Sequence, residues 1–356
     1  MKKKLKLFLI ALTPIIIILN SILKQYPKFV EKSYSNSLNR GTRQVQNLLT
    51  GLFPFSIAEI LYFSLIIILL ILIVFLCFRI KKGGVLAQFI NILAYFSLLY
   101  VLFMFLWGFN YNRIPFDKLA HLQIEKSTEE ELKGLCISLI DSANSMREKV
   151  NVSPKGTMLE VGGYKDVFNR AFKGYEVAAE TIPELGGNYG KPKPIFLSKA
   201  LCYTGITGMY MPYTGEANVN IAVEDFVLPN TAAHEMAHQR GFAREDEANY
   251  IAYLTCTLNP DSDFKYSGTM LALTYSMNAL ADKNIEEYKT LQKQYSKGVK
   301  KDLEANNDFW RKYSGKIERL STSVNNSYLK TNGQKDGVES YGRMVDLLLA
   351  EYKKNK

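Results

Sequence analysis

Histidine is scarce in this 356-residue chain: three copies stand against 34 Asp+Glu and 44 Lys+Arg. Cysteine is nearly as rare, and of the four copies Cys77 lies inside an apolar run. The other three, Cys136, Cys202 and Cys256, are too few for a disulfide framework and lack metal-ligand spacing, so both roles are excluded. Acidic residues are almost missing from positions 1–106, where only Glu31 and Glu59 accompany twelve Lys/Arg. Subtracting these from 44 and 34 leaves 32 basic and 32 acidic residues, so the whole net charge of +10 lies in the first third. A chain basic throughout would point to nucleic acid. An excess confined to segments ahead of and between apolar runs is a topology signal instead, and no nucleic-acid partner is expected.

What the first third does contain is three long apolar runs, at about 5–23, 57–80 and 85–107. Each approaches the roughly 20 residues needed to cross a ~30 Å hydrocarbon core, and the second is too long and too free of charge for a buried soluble helix. The first run follows Lys2-Lys3-Lys4 but is long and lacks a small-x-small cleavage site, so an uncleaved anchor is expected. Lys2, Lys3, Lys4 and Lys6 before the first run, and Arg79, Lys81 and Lys82 between the second and third, place both clusters in the cytoplasm by the positive-inside rule. Lys24, Lys28, Lys32, Arg40 and Arg43 in the intervening loop reduce the contrast. The reading is a multi-pass cell-membrane protein, with the bilayer as partner: a membrane domain at 1–107 and an extracytoplasmic domain at 108–356.

The expected fold class is α+β behind a bundle of three transmembrane helices, with a small β-sheet followed by a mostly helical part. Ser127-Thr128-Glu129-Glu130 reads as a helix start. Glycine and proline then become frequent over 151–230, and Val219, Ile221 and Val223 alternate on one face of a predicted strand at 218–223. Helices are predicted around 266–281, 284–312 and 340–353. No repeat or low-complexity segment stands out.

Two of the three histidines fall four apart in His234-Glu235-Met236-Ala237-His238. Shuffling this composition would produce HExxH in roughly one sequence in a thousand. Pro229-Asn230-Thr231 offers cap chemistry, Ala232 to Arg240 are good helix formers, and Gly241 supplies a stop. On a helix, positions i and i+4 share a face, so both imidazoles can reach one ion. Glu235 stands beside them, placed for a metal-held water and not for the metal. A catalytic zinc needs a third protein ligand, and His121 lies far upstream. Glu245-Asp246-Glu247 opens a second predicted helix just past Gly241, so Glu245 is the expected third ligand, with Glu247 the alternative. Asn249 shares a face with Glu245 and is a candidate to orient an imidazole.

HExxH followed by Glu245-Asp246-Glu247-Ala248-Asn249 resembles the gluzincin branch of the zincin metallopeptidases over residues 231–254. That resemblance implies zinc at His234 and His238, and a third ligand at the first glutamate of the stretch, Glu245. The branch usually has Asp where this chain has Asn249, and a connection longer than the six residues between His238 and Glu245. The short Gly-containing link is closer to metzincins, whose third histidine would fall at Arg244. A wider resemblance rests on Pro54-Phe55-Ser56, Trp107-Gly108-Phe109-Asn110-Tyr111, the run Tyr210 to Asn218, and Ser340-Tyr341-Gly342. These look like a bacterial membrane-protein family of unknown function, with N-terminal spans and a zincin-like C-terminal domain.

The expected function is therefore a membrane-anchored metallopeptidase that hydrolyses peptide bonds in a peptide or protein substrate. Its cofactor is Zn2+ on His234, His238 and Glu245, and Glu235 serves as general base for a zinc-activated water. In zincins generally an edge strand ahead of the motif helix pairs with the substrate backbone, a role open to the strand at 218–223. Tyr210 and Tyr213 are candidates for oxyanion stabilisation, although packing explains most tyrosines. Glu216 can cap a helix or pair with Arg240 or Arg244. The competing reading is a non-catalytic zinc-binding membrane sensor or scaffold, which has no use for Glu235. An intramembrane protease is excluded by Arg240, Arg244, Glu245, Asp246 and Glu247 following the motif at once.

Overall fold

The computed structural model describes residues 3–355, so Lys2 of the first basic cluster lies outside the described residues. The chain is mostly helical with a small three-stranded sheet. It divides into two units: one runs through Ile114 and includes Met211–Glu216, and the other comprises Pro115–Tyr210 and Ala217–Lys356.

In the first unit three helices are long and apolar enough to cross a membrane: Lys3–Leu23, Ile57–Lys82 and Val85–Leu106. At 1.5 Å per residue their 21, 26 and 22 residues reach about 32, 39 and 33 Å, enough for a ~30 Å core. The first two carry long runs of exposed Ile, Leu and Phe, an arrangement that water would not tolerate and hydrocarbon would. The second is stopped by Gly83 and Gly84 after Arg79, Lys81 and Lys82. The connection after the first helix is itself helical. A nine-residue π-helix, Val30–Leu38, continues directly into an α-helix, Asn39–Gly51. Ile16, Val30, Tyr34, Val101, Met104 and Phe109 form this unit's own small core.

The second unit opens its first long helix, Glu129–Arg147, with the capping box that the sequence signals: Thr128 accepts from the Glu131 backbone, and Glu131 reaches back to the Thr128 N–H. This helix packs against Ser262–Lys283, which in turn packs against Glu245–Leu258. Buried Leu135, Leu139, Ile140, Ala248, Ile251, Met270, Leu273 and Met277 belong to the one core they share. The stretch predicted as one helix over 284–312 is two, Ile285–Gln292 and Lys297–Arg311. Ser296 breaks it by accepting from the Val299 N–H, which caps a new helix in place of continuing the old one.

The strands β1 (Lys193–Pro194), β2 (Gly208–Met211) and β3 (Glu216–Val219) lie in the order β1-β3-β2. β1 pairs parallel with β3 in the register Lys193 to Asn218 and Pro194 to Val219. Two sequence expectations change here. The strand ends at Val219 and does not run to Val223, because Asn220 folds its side chain onto the Ala222 N–H and the Ile206 carbonyl. Moreover β3 is the central strand, hydrogen-bonded on both sides, so it offers no edge to an incoming backbone; β2 is an outer strand.

Candidate metal centre

The HExxH motif lies on the helix Leu228–Gln239. It starts earlier than cap chemistry at 229–231 predicts: Pro229 occupies the first turn, where its missing N–H costs nothing, and Asn230 bonds to Ser267. Gly241, at φ +83°, takes the left-handed conformation that ends the helix. After three intervening residues the helix Glu245–Leu258 begins, packed on the first, with Ala248 and Ala252 fully buried. Gly174 lets another helix, Phe172–Ala179, approach so closely that a Cβ there would lie 1.8 Å from the Thr255 carbonyl oxygen. The helix carrying Glu245 is thereby held from more than one side.

The turn brings His234, His238 and Glu245 together, with one donor atom from each inside 4.8 Å of the others. His238 Nε2 is 3.1 Å from His234 Nε2, while Glu245 Oε2 is 3.2 Å from His234 Nε2 and 3.5 Å from His238 Nε2. Ligand atoms 2.0–2.1 Å from a tetrahedral zinc stand about 3.3 Å apart, so donor type and spacing both fit such an ion. His238 Nδ1 lies 2.7 Å from the Phe242 carbonyl and donates to it, which leaves the Nε2 lone pair directed at the cluster. The role of imidazole orienter proposed for Asn249 is thus filled, for His238, by Phe242, while Asn249 donates to the Tyr275 hydroxyl at 3.3 Å.

Charge is shared across the three groups. Burial opposes the charged form of His238, but the facing Glu245 carboxylate outweighs it and raises the imidazole to about 9. Burial likewise opposes the Glu245 anion and is outweighed by the charge of His238 and the hydrogen bonds from both imidazoles, which hold the carboxyl well below its ordinary value. A metal held there would therefore compete with the proton for His238.

Glu235 points to the same region without joining the donor set. It is 4% exposed, and its Oε2 has no hydrogen-bond partner among the described residues. Burial raises its pKa above the usual carboxylate value, against the pull of His234, His238 and the Tyr210 backbone N–H. β2 presses against this carboxylate: a Cβ at Gly208 would lie 2.4 Å from Glu235 Oε1. Gly208 was not singled out from the sequence, although an isolated glycine in a strand is a signal of close approach.

The remaining candidates separate. Glu247 turns away from the imidazoles: its Oε1 accepts from the Phe116 N–H at 2.9 Å and from Arg244 at 2.6 Å. Tyr210 is buried, its ring centroid 6.5 Å from that of His238. Tyr213 belongs to the other unit, where its hydroxyl donates to the Leu99 carbonyl at 3.0 Å. Glu216 lies in that unit too and caps the second apolar helix, accepting from the Ile57 and Ala58 N–H groups at 3.2 and 2.6 Å. Arg240 donates to the Leu185 and Met236 carbonyls and lies over the Tyr175 ring. His121 is an exposed residue with φ +53° and takes no part in the cluster.

No curated protein and no solved structure matches the chain. A family model described as a protein of unknown function (DUF3810) matches residues 34–349, most of the length, and the chain belongs to that family.

Proposed function

We propose that this protein is a membrane-anchored zinc metallopeptidase of the zincin type, with Zn2+ held by His234, His238 and Glu245. The observation that carries the reading is the buried Glu235 carboxylate, which stands beside a three-donor cluster, is not part of it, and has one oxygen unengaged among the described residues. A purely structural zinc site takes four protein ligands and needs no such neighbour. Bound zinc supplies Lewis acidity, polarising a scissile carbonyl and acidifying water near neutral pH.

The chain's own residues do the rest. Glu235 accepts the proton of the attacking water and delivers it to the leaving amine, a role suited to a carboxylate whose proton affinity burial has raised. The Tyr210 backbone N–H and the missing side chain of Gly208 set where that carboxylate can lie. Phe242 holds His238 in its ligating tautomer. β2, as an outer strand against Glu235, takes over the substrate-pairing role first expected of β3.

The direct test is metal analysis of the purified full-length protein together with cleavage of a peptide library. Close to one zinc per chain is expected, with cleavage lost on chelation. A zinc-loaded chain that cleaves no peptide would favour the sensor or scaffold reading.

Gly208→Ala is expected to retain zinc and fold while lowering kcat by about 10–100-fold, because the added methyl displaces the Glu235 carboxylate. An unchanged kcat in this variant would take β2 out of the catalytic arrangement. The basic clusters at Lys3, Lys4 and Lys6 and at Arg79, Lys81 and Lys82 support an extracytoplasmic location for the second unit. A cysteine placed at the exposed Lys330 should react with an impermeant maleimide in intact cells; reaction only after lysis would reverse the orientation.

A further inference from the structure

The connection between the first two apolar helices is amphipathic in the opposite sense from a water-facing loop. Its polar face is turned into the protein. Glu31, Tyr34 and Ser35, followed at intervals of four by Asn39, Arg43 and Asn47, are all buried. Glu31 forms a buried ion pair with Arg113, Arg43 donates to the Ser35 carbonyl at 3.1 Å, and Asn110 donates to Asn39 at 2.9 Å. The opposite face carries Leu38, Val45, Leu48, Leu49 and Leu52, each more than half exposed, with Leu52 at 78%. A helix in water shows the reverse arrangement.

Hydrogen bonds within this unit fix the depth of the segment. Tyr34 donates to the Phe105 carbonyl and Asn39 to the Leu106 carbonyl, both at 2.8 Å. These are among the last carbonyls of the third apolar helix, groups that have no partner inside the helix itself. Gln46 donates to the Pro212 and Tyr213 carbonyls and Asn47 to that of Gly215, in the same short segment whose Glu216 caps the start of the second apolar helix. The connection therefore lies level with the end of one spanning helix and the beginning of another, at the boundary of the hydrocarbon layer. Its apolar surface continues along the chain through Phe53 and Phe55, also exposed, into Ile60 and Phe63 of the second helix. Lys24, Lys28 and Lys32, four apart and exposed at its start, stand where phosphate headgroups would meet them.

We propose that residues 30–52 form an in-plane, lipid-embedded helix whose Leu38, Val45, Leu48, Leu49 and Leu52 face is seated among acyl chains. The partner is the bilayer itself. This assigns the Lys24–Lys32 charges to headgroup contact and removes them from the topology count, and it does not depend on the metal reading.

The test uses the full-length chain with Cys77→Ser, which removes the exposed thiol, and a single nitroxide at Leu48→Cys or Leu52→Cys. The protein is placed in vesicles of phosphatidylcholine and phosphatidylglycerol. Collision with oxygen should exceed collision with a water-soluble nickel complex at both positions, as at an Ile67→Cys control within the second helix. A Lys330→Cys control should show the opposite preference. Nickel dominating at 48 and 52 would make the face aqueous and overturn the proposal. Blocked access to both reagents, meaning that protein or a second copy covers the face, would overturn it equally. As a check on the unsubstituted chain, a phospholipid with a photoactivatable acyl chain should leave adducts within residues 45–53. Adducts on the second helix with none in that stretch would refute the embedding.

Discussion

Glu235→Gln is expected to keep its zinc and lose its turnover. The substitution preserves size and removes the charge of a group that is 4% exposed and lies outside the three-donor cluster. His234, His238 and Glu245 are untouched, so metal content should match the parent protein. Hydrolysis should fall by about 10²-fold or more, the scale for losing a positioned acid–base group. Because Oε2 has no hydrogen-bond partner among the described residues and burial disfavours the anion, a neutral amide should be no less comfortable there, and thermal stability should hold or rise slightly. The informative measurement is kcat and zinc content in the same preparation. Full zinc with lost turnover identifies a base; unchanged peptidase activity with normal zinc would remove Glu235 from the mechanism. A sensor or scaffold would show no functional change at all.

Glu245→Ala and Glu247→Ala should fail in different ways although the residues are two apart. Glu245 faces both imidazoles at 3.2 and 3.5 Å, so its loss is expected to strip zinc nearly as completely as His238→Ala. Glu247 holds the Phe116 N–H and Arg244, and its loss removes one acceptor from a buried N–H and from a mostly buried guanidinium. We expect Glu247→Ala to retain zinc and lose about 3 kcal/mol of stability, the lower end for breaking a buried ion pair, since Arg244 keeps 23% of its side chain exposed. For a domain of this size that is a fall in Tm of about 6–12 °C. Metal content and thermal melts of both variants decide the matter. Zinc lost from Glu247→Ala but kept in Glu245→Ala would move the third ligand.

Features that depend on residues a few positions apart were legible in the sequence. The three apolar runs became helices within a few residues of their expected ends, because length and hydrophobicity are properties of each run alone. The Thr128 capping box and the helix start at Glu245 were likewise local. The i, i+4 spacing put His234 and His238 on one face of any helix that formed there. It was also local that Glu245 and Glu247 face opposite ways, being about 200° apart around a helix. Which of the two meets the imidazoles was not local. It depends on how the second helix swings about Gly241 and on Phe116, 131 residues from Glu247, claiming that carboxylate. The same holds for Glu216, whose role is set by the backbone of residues 57 and 58, and for Gly208, whose missing Cβ matters only once β2 lies against Glu235. The position of β3 at the centre of the sheet arises from its pairing with Lys193 and Pro194, a stretch too short to read as a strand. Local sequence therefore determined which elements exist and which faces they carry. Long-range contacts, invisible to any short window, decided which carboxylate joins the His234–His238 donor cluster, which caps an apolar helix and which braces the core.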